Sequence, residues 1–123
     1  MAIVYDTGLA IEVEAGENIG GNRLVVVIGN KAFYADNTTL AHAHAIAGIT
    51  IATYSLGDTA IIKITPALML ESSWTWTPDA SLFATTNGFL SHTVPTSGFV
   101  RRVAFARTAT LIQLISEPPI IKA

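Results

Sequence analysis

Turn signals recur about every ten residues along this chain, with short runs of β-branched or alternating apolar residues between them. The strongest are Gly29-Asn30, Gly57-Asp58 and Asn87-Gly88. Gly and Asn readily adopt the positive φ angles that tight hairpin turns need, and no segment shows convincing amphipathic-helix spacing. The chain has 123 residues, the size of one domain. We therefore predict an all-β fold, a single-domain antiparallel β-sandwich or barrel spanning residues 1–123.

The first half of the chain contains the clearest local pattern. The segments "RLVVVI" and "KAFYAD" flank Gly29-Asn30 and predict a two-residue hairpin. The β-branched run from Val25 to Ile28 predicts a strand buried on both faces. Residues 38–45 fit either a helical turn or a strand, and residues 46–53 favour a strand.

The second half contains the most distinctive segment, "SWTWT" at residues 73–77. Its strict alternation predicts a strand that presents Trp74 and Trp76 on one face. The pair could stack on sugar rings as a ligand platform, but a place in the core or at a subunit contact is the favoured interpretation. Further on, Asn87-Gly88 predicts a type I′ hairpin between "SLFAT" and "FLSHT".

Composition indicates a protein that associates with other proteins. Half of the residues are hydrophobic, only 13% are charged and the net charge is −2. Apolar surface left exposed would aggregate, so we expect a protein–protein interface and a homo-oligomer. The charge balance predicts no nucleic-acid partner, and no apolar run is long enough to predict a membrane span. The first residues also lack the basic start of a signal peptide.

The sequence contains only weak motifs for metal binding or catalysis. His42 and His44 would share one face of a strand and, with Asp36, could hold Zn²⁺, but a structural site needs four ligands. Ordinary polar or interface histidines are therefore the favoured interpretation, and we predict no metal and no other cofactor. No nucleophile elbow, phosphate-binding loop or carboxylate pair is evident, and cysteine is absent. We expect a protein that is not an enzyme.

The two neighbouring arginines of the chain are interface candidates. Arg101 and Arg102 would point to opposite faces of one strand, and the inward or interface arginine would need a carboxylate. The candidates for that carboxylate are Glu71, Asp79, or Glu12 or Glu14 of a partner chain.

The termini, residues 1–10 and 117–123, are apolar and carry Ile3, Tyr5, Ile120 and Ile121. They predict either extended arms that reach a neighbour or edge strands that close the fold. The segment "EPPIIKA" should not join a central strand, because proline lacks the amide hydrogen that a strand ladder needs.

The segments "HAIAGITIATYSLGDTAIIKIT" and "SWTWTPDASLFATTNGFLSHTVPTSGFVRRVAFARTATLIQL" resemble a recurrent module of tailed-bacteriophage virion proteins. The shared features are a Gly-Ile step, a Gly-Asp turn, a Trp-x-x-x-Pro segment, a Pro-Thr-x-Gly turn and a closing V-x-x-A strand. The resemblance covers residues 44–116 and rests on turns and apolar alternation. This chain departs from the pattern at Asp79, where glycine is usual after Pro78.

The resemblance implies a non-enzymatic structural protein of the virion, most similar to small head decoration (capsid cement) proteins. Such a protein would be made in the host bacterial cytoplasm and would bind on the capsid surface. It would bridge subunits of the major capsid protein as a dimer or trimer and so resist internal DNA pressure. The alternative that the same resemblance leaves open is a tail-fibre or baseplate module that binds a host surface glycan through Trp74 and Trp76.

Overall fold

The computed structural model describes residues 9–121 of the chain. Within that range nearly all regular structure is β, apart from short 3₁₀ turns at Leu40–His42 and Thr86–Gly88. The strands are β1 (Ala10–Ala15), β2 (Leu24–Ile28), β3 (Lys31–Tyr34), β4 (Ile46–Thr50), β5 (Thr59–Lys63), β6 (Leu68–Leu70), β7 (Ser81–Ala84), β8 (Leu90–Ser91), β9 (Phe99–Val100), β10 (Arg102–Ala106), β11 (Leu111–Leu114) and β12 (Ile120–Ile121).

The first five strands close into a small barrel in the order β1-β3-β2-β4-β5. Four of the pairings are antiparallel, and β1 returns to meet β3 in parallel, with Glu14 opposite Lys31 and Ala15 opposite Ala32. A closed ring with an odd number of strands cannot alternate direction all the way round. One parallel pair is therefore unavoidable, and it is the exception to the predicted antiparallel arrangement.

The remaining strands form an open sheet in the order β6-β11-β10-β7-β8 and a small β12-β9 pair. Every pairing in both is antiparallel. The prediction of an all-β sandwich or barrel is confirmed, and the structure combines the two, because a closed barrel packs against an open sheet.

Strand β2 connects these two halves, since it is buried on both faces. Leu24 and Val26 belong to the core shared with the open sheet, together with Leu82, Phe99 and other residues of the second half. Val25 points the other way and joins the barrel core. The prediction of a strand buried on both faces is therefore correct, but the buried range differs from the predicted one. Residues 24–26 are fully buried, whereas Ile28, beside the turn, is exposed.

The predicted hairpins differ in how closely the structure follows them. Gly29 (φ 60°) and Asn30 (φ 64°) make the two-residue turn between β2 and β3, as predicted. Asn87 (φ 54°) and Gly88 (φ 74°) also adopt positive φ, but the β7–β8 loop is longer than two residues. The amide N–H of Thr85 donates to the carbonyl oxygen of Phe89, which closes a wider loop.

Two strand predictions are wrong or only partly right. Residues 73–77, "SWTWT", form no strand and lie in a loop between β6 and β7. The predicted strand over residues 46–53 ends at Thr50. The undecided segment before it contains the 3₁₀ turn Leu40–His42, so His42 and His44 are not two apart on a strand.

Gly48 allows the close approach of β4 and β5, and we expect its replacement by alanine to destabilise the fold. An added Cβ would lie 1.8 Å from the carbonyl oxygen of Lys63, so the backbone would have to move. Gly48→Ala should lower the free energy of unfolding by about 2 kcal/mol or more, in the range of overpacked cores. Urea unfolding measures this, with Gly20→Ala as the control, because its Cβ would make only ordinary contacts. Equal stability of the two variants would contradict this prediction.

Candidate functional site

An open cleft lies where the loop before β2 meets the tryptophan loop (residues 71–80) and the β7–β8 loop. We call it the aromatic cleft, and its volume is about 300 Å³. It is lined by two tryptophans, one phenylalanine, one leucine and three residues of the loop before β2: Trp74, Trp76, Phe89, Leu90, Gly21, Asn22 and Arg23. This volume is at the lower end of the range for small-molecule sites.

The two tryptophan rings lie side by side, although no strand places them there. Their centroids are 6.1 Å apart and the ring planes are inclined by 52°. The amide N–H of Trp74 donates to the carbonyl oxygen of Glu71 (3.1 Å), and that of Trp76 donates to Ala109 in the β10–β11 loop (2.9 Å). Both rings also pack against the core as half-buried side chains. Both tryptophans line the same cleft, although the strand predicted to present them on one face is absent.

His92 holds the tryptophan loop through both of its ring nitrogens. Its Nε2 accepts the amide N–H of Thr77 (3.0 Å), and its Nδ1 lies 2.8 Å from the carbonyl oxygen of Ser81. Those partners require the neutral tautomer with the hydrogen on Nδ1. The Trp76 ring makes an edge contact with the imidazole, with centroids 5.3 Å apart. The buried indole N–H of Trp76 has no acceptor among residues 9–121, an unusual state for a buried donor.

The opposite wall is built on Arg23. Its guanidinium lies over the ring of Phe89, 3.8 Å from the centroid, and 4.9 Å from the centroid of Tyr34. Its Nη1 donates to the carbonyl oxygen of Asn87 at 2.6 Å. The backbone of Arg23 is held in turn by buried Thr50, whose hydroxyl accepts the Arg23 amide N–H at 3.1 Å. These contacts fix both the backbone and the guanidinium group of Arg23.

The carboxylate of Glu71 ties this wall to the tryptophan loop. The Asn22 side-chain amide donates to Oε2 of Glu71 (2.8 Å), and the amide N–H of Ser73 donates to Oε1 (3.3 Å). The Asn22 bond, followed by the Ser73 bond, lowers the pKa of Glu71 below its ordinary value and outweighs the opposing effect of desolvation. The ionised carboxylate is the form that holds the two loops together.

Stability should therefore depend on pH through Glu71. Because its pKa is lower in the folded than in the unfolded chain, the stabilisation is complete above the ordinary pKa and is lost as pH falls through the lowered value. Carboxyl-carbon NMR titration should give a depressed pKa for Glu71, and Asn22→Ala should move it back towards the ordinary value. An unchanged pKa in that variant would show that the Asn22 bond does not act on the carboxylate.

The two interface-candidate arginines both hold the segment after β11. Arg101 is partly buried, and it donates to the carbonyl oxygens of Ala43 and Glu117, both at 2.9 Å. Burial lowers the pKa of its guanidinium. Arg102 pairs with the Glu117 carboxylate through Nε and Nη2, and its Nη1 donates to the hydroxyl of Ser81.

Neither of the predicted partners within the chain, Glu71 and Asp79, pairs with these arginines, and pairing with a partner chain stays a prediction. The prediction named Glu71, Asp79 or a partner chain's Glu12 or Glu14, whereas the pairing here is with Glu117 and with backbone carbonyls. The contact could not be predicted from the sequence, because only the fold brings residues 101–102 and 117 together.

Asp79 adopts a left-handed conformation (φ 66°) in the turn after Pro78. This is the region that glycine enters without steric cost and that Asp tolerates better than most residues. Its amide N–H donates to the carbonyl oxygen of Ala106 at 2.7 Å, so the turn is fixed to β10.

We expect loss of the Glu117 carboxylate to release the last described strand. Glu117→Ala should speed amide hydrogen exchange of Ile120 and Ile121 and cost about 1 kcal/mol, the scale of a well-formed but partly exposed pair. Glu12→Ala, on the barrel, is the control and should leave that exchange unchanged. Equal exchange rates in the Glu117 variant and the wild type would show that the β12–β9 pairing holds without the clamp.

The other candidate residues lie apart from the aromatic cleft. Nδ1 of His42 accepts the amide N–H of Asp36 (3.1 Å), and His44 is exposed. Within residues 9–121 no three His, Cys, Asp or Glu side chains are grouped as a metal site would require. Ile120 and Ile121 are 63% and 54% exposed, although their backbone pairs with β9. Ile3 and Tyr5 lie outside the described residues.

Comparison with known proteins identifies no relative. No protein-family description, curated protein or solved structure matches the chain. Among residues 9–121 no helix is both long and apolar enough to cross a bilayer.

Sequence reasoning missed several residues of the aromatic cleft and its supports, Asn22, Arg23, Phe89 and His92, and it also missed Glu117 beside the two arginines. The one available signal was Asn87-Gly88, which predicts a turn and so places Phe89 just beyond it.

Proposed function

We propose that this chain is a non-enzymatic structural protein of a tailed-bacteriophage virion that decorates the capsid and stabilises it. It binds at the outer surface of the head and bridges subunits of the major capsid protein. It acts there as a homo-oligomer, a dimer or trimer. The resemblance of residues 44–116 to virion modules supports the location, and the surface chemistry supports the mode of binding.

The observation that carries this proposal is the exposed apolar surface at both ends of the described chain. Leu9, just before β1, is 64% exposed, and Ile120 and Ile121 of β12 are also exposed. The β12 backbone pairs with β9 along one edge only and its side chains are exposed, so the strand offers apolar side chains at the edge of a two-stranded sheet. Exposed apolar side chains of this kind gain most from burial against a partner.

The low charge of the chain supports the same mode of binding. Only 13% of its residues are charged, and interface cores are depleted of charged residues. Several charges of the described part are already used to hold loops, as in the Arg102–Glu117 pair and the Glu71–Asn22 bond.

The alternative, a tail-fibre or baseplate module that binds a host glycan, uses a different surface. One specific observation favours it, the aromatic cleft with its paired tryptophans. Binding at the cleft and binding through the termini are independent properties, so each can be tested separately.

Capsid binding is tested on expanded heads from a phage that lacks this gene. The purified chain should bind them and raise their resistance to heat, and native mass measurement should give a dimer or trimer. Ile120→Asp combined with Ile121→Asp should weaken binding by about tenfold or more, because two apolar contacts are lost. Folding should persist, since both side chains are exposed.

Leu56→Asp is the matched control, because Leu56 is an equally exposed apolar residue on a turn away from the termini. It should bind heads as the wild type does. A wild-type chain that does not bind expanded heads would overturn the proposed function.

A further inference from the structure

We infer that the aromatic cleft is a binding site for a neutral oligosaccharide, with one pyranose ring stacked between the tryptophan pair and the Arg23–Phe89 wall. This inference deepens the alternative function, glycan binding at the same cleft, and rests on it, whereas it does not depend on capsid decoration. It rests on the shape, the lining chemistry and the rigidity of the cleft.

The lining of the cleft combines aromatic rings with hydrogen-bonding groups. Trp74, Trp76 and Phe89 supply the aromatic surface, whereas Asn22 and Arg23 supply polar groups at its edge. A pyranose has the same division, because its C–H face is apolar and its hydroxyl groups lie around the rim. Aromatic rings with an apolar body and a polar edge suit such a ligand.

The charges around the cleft favour a neutral ligand. The aromatic cleft is lined by one cation, Arg23, and by Asn22, whose side-chain amide binds the carboxylate of Glu71. The ionised form of Glu71 would repel a phosphate backbone, and the whole chain carries a net charge of −2. A nucleic acid, which could also stack on tryptophan, is therefore disfavoured. A hydroxyl group both donates and accepts, and so suits a rim that offers guanidinium and amide groups together.

The walls of the cleft are held in place by the fold. Thr50 fixes the backbone of Arg23, Asn87 holds its guanidinium, and Ala109 and His92 hold the loop of Trp76. A site that is already ordered loses little conformational entropy on binding. Such rigidity matters for sugars, whose individual contacts are weak.

A second cleft of about 380 Å³ shares Asn22 with the first, and so the ligand can be longer than one sugar. Besides Asn22 its lining comprises Ile51, Lys63, Met69, Leu70 and Glu71, with one cation and one carboxylate. The Asn22–Glu71 hydrogen bond joins residues of the two clefts. An oligosaccharide that stacks one ring on the tryptophans can therefore continue over this bond into the second cleft.

The test is an NMR titration of the full chain with neutral tetrasaccharides of glucose, galactose, mannose or N-acetylglucosamine, followed at the two indole N–H resonances. At least one tetrasaccharide should shift both resonances in a saturable manner, with a Kd in the millimolar range or below. The corresponding monosaccharide should bind more weakly, because it reaches only one cleft.

Phe89→Ala and Arg23→Gln should each weaken binding by about tenfold, the effect of losing one good contact. Leu56→Ala, an exposed apolar truncation outside both clefts, is the matched control and should bind as the wild type does. Chemical-shift spectra of each variant establish that it is folded before the titration is interpreted.

The inference is overturned if no neutral tetrasaccharide shifts the indole resonances at about 10 mM, well above a millimolar Kd. It is also overturned if Phe89→Ala and Arg23→Gln bind sugar normally, or if an oligonucleotide binds the cleft and the sugars do not. If the same two variants lose capsid binding and the wild type binds no sugar, the cleft is a protein contact. Capsid binding by the wild type is measured separately, so failure of one proposal leaves the other standing.

Discussion

Burial of strand β2 on both faces is the constraint on which the rest of the structure depends. Leu24 and Val26 fill the core shared with the open sheet, and Val25 fills the barrel. Full burial of each such side chain contributes about 1.5–3 kcal/mol, so this short strand stabilises both halves at once. It also determines where the cleft forms, because Arg23 immediately precedes it and is held against the second half by the same packing.

Several charged groups of the described residues hold loops. Glu71 joins the loop before β2 to the tryptophan loop, and Glu117 fastens the segment after β11 to Arg101 and Arg102. Their removal should therefore loosen segments locally and leave the apolar core intact. Exposed apolar side chains remain at the ends of the described chain, and a rigid aromatic cleft lies between its loops.

Sequence reasoning succeeded for features that depend on neighbouring residues and failed for features that depend on contacts with a distant segment. The Gly29-Asn30 hairpin was predictable, because positive φ at two successive residues is a local requirement. The "SWTWT" strand was wrong, because alternation alone does not supply a neighbouring strand, and these residues bond instead to single carbonyls such as that of Ala109. The pairing of Arg102 with Glu117 was not predictable, since no local pattern relates residues 15 positions apart in extended segments.

By itself the sequence determined the all-β class, the position of the tightest turn and the presence of a strand with no polar face. Each of these follows from the conformational preferences of single residues and from the side-chain alternation of a strand. Only the tertiary structure decided that the barrel closes with one parallel pair, that Arg23 stacks on Phe89 and that the two tryptophans face that stack across a cleft. Those features depend on contacts between distant segments, and such contacts exist only once both cores have packed.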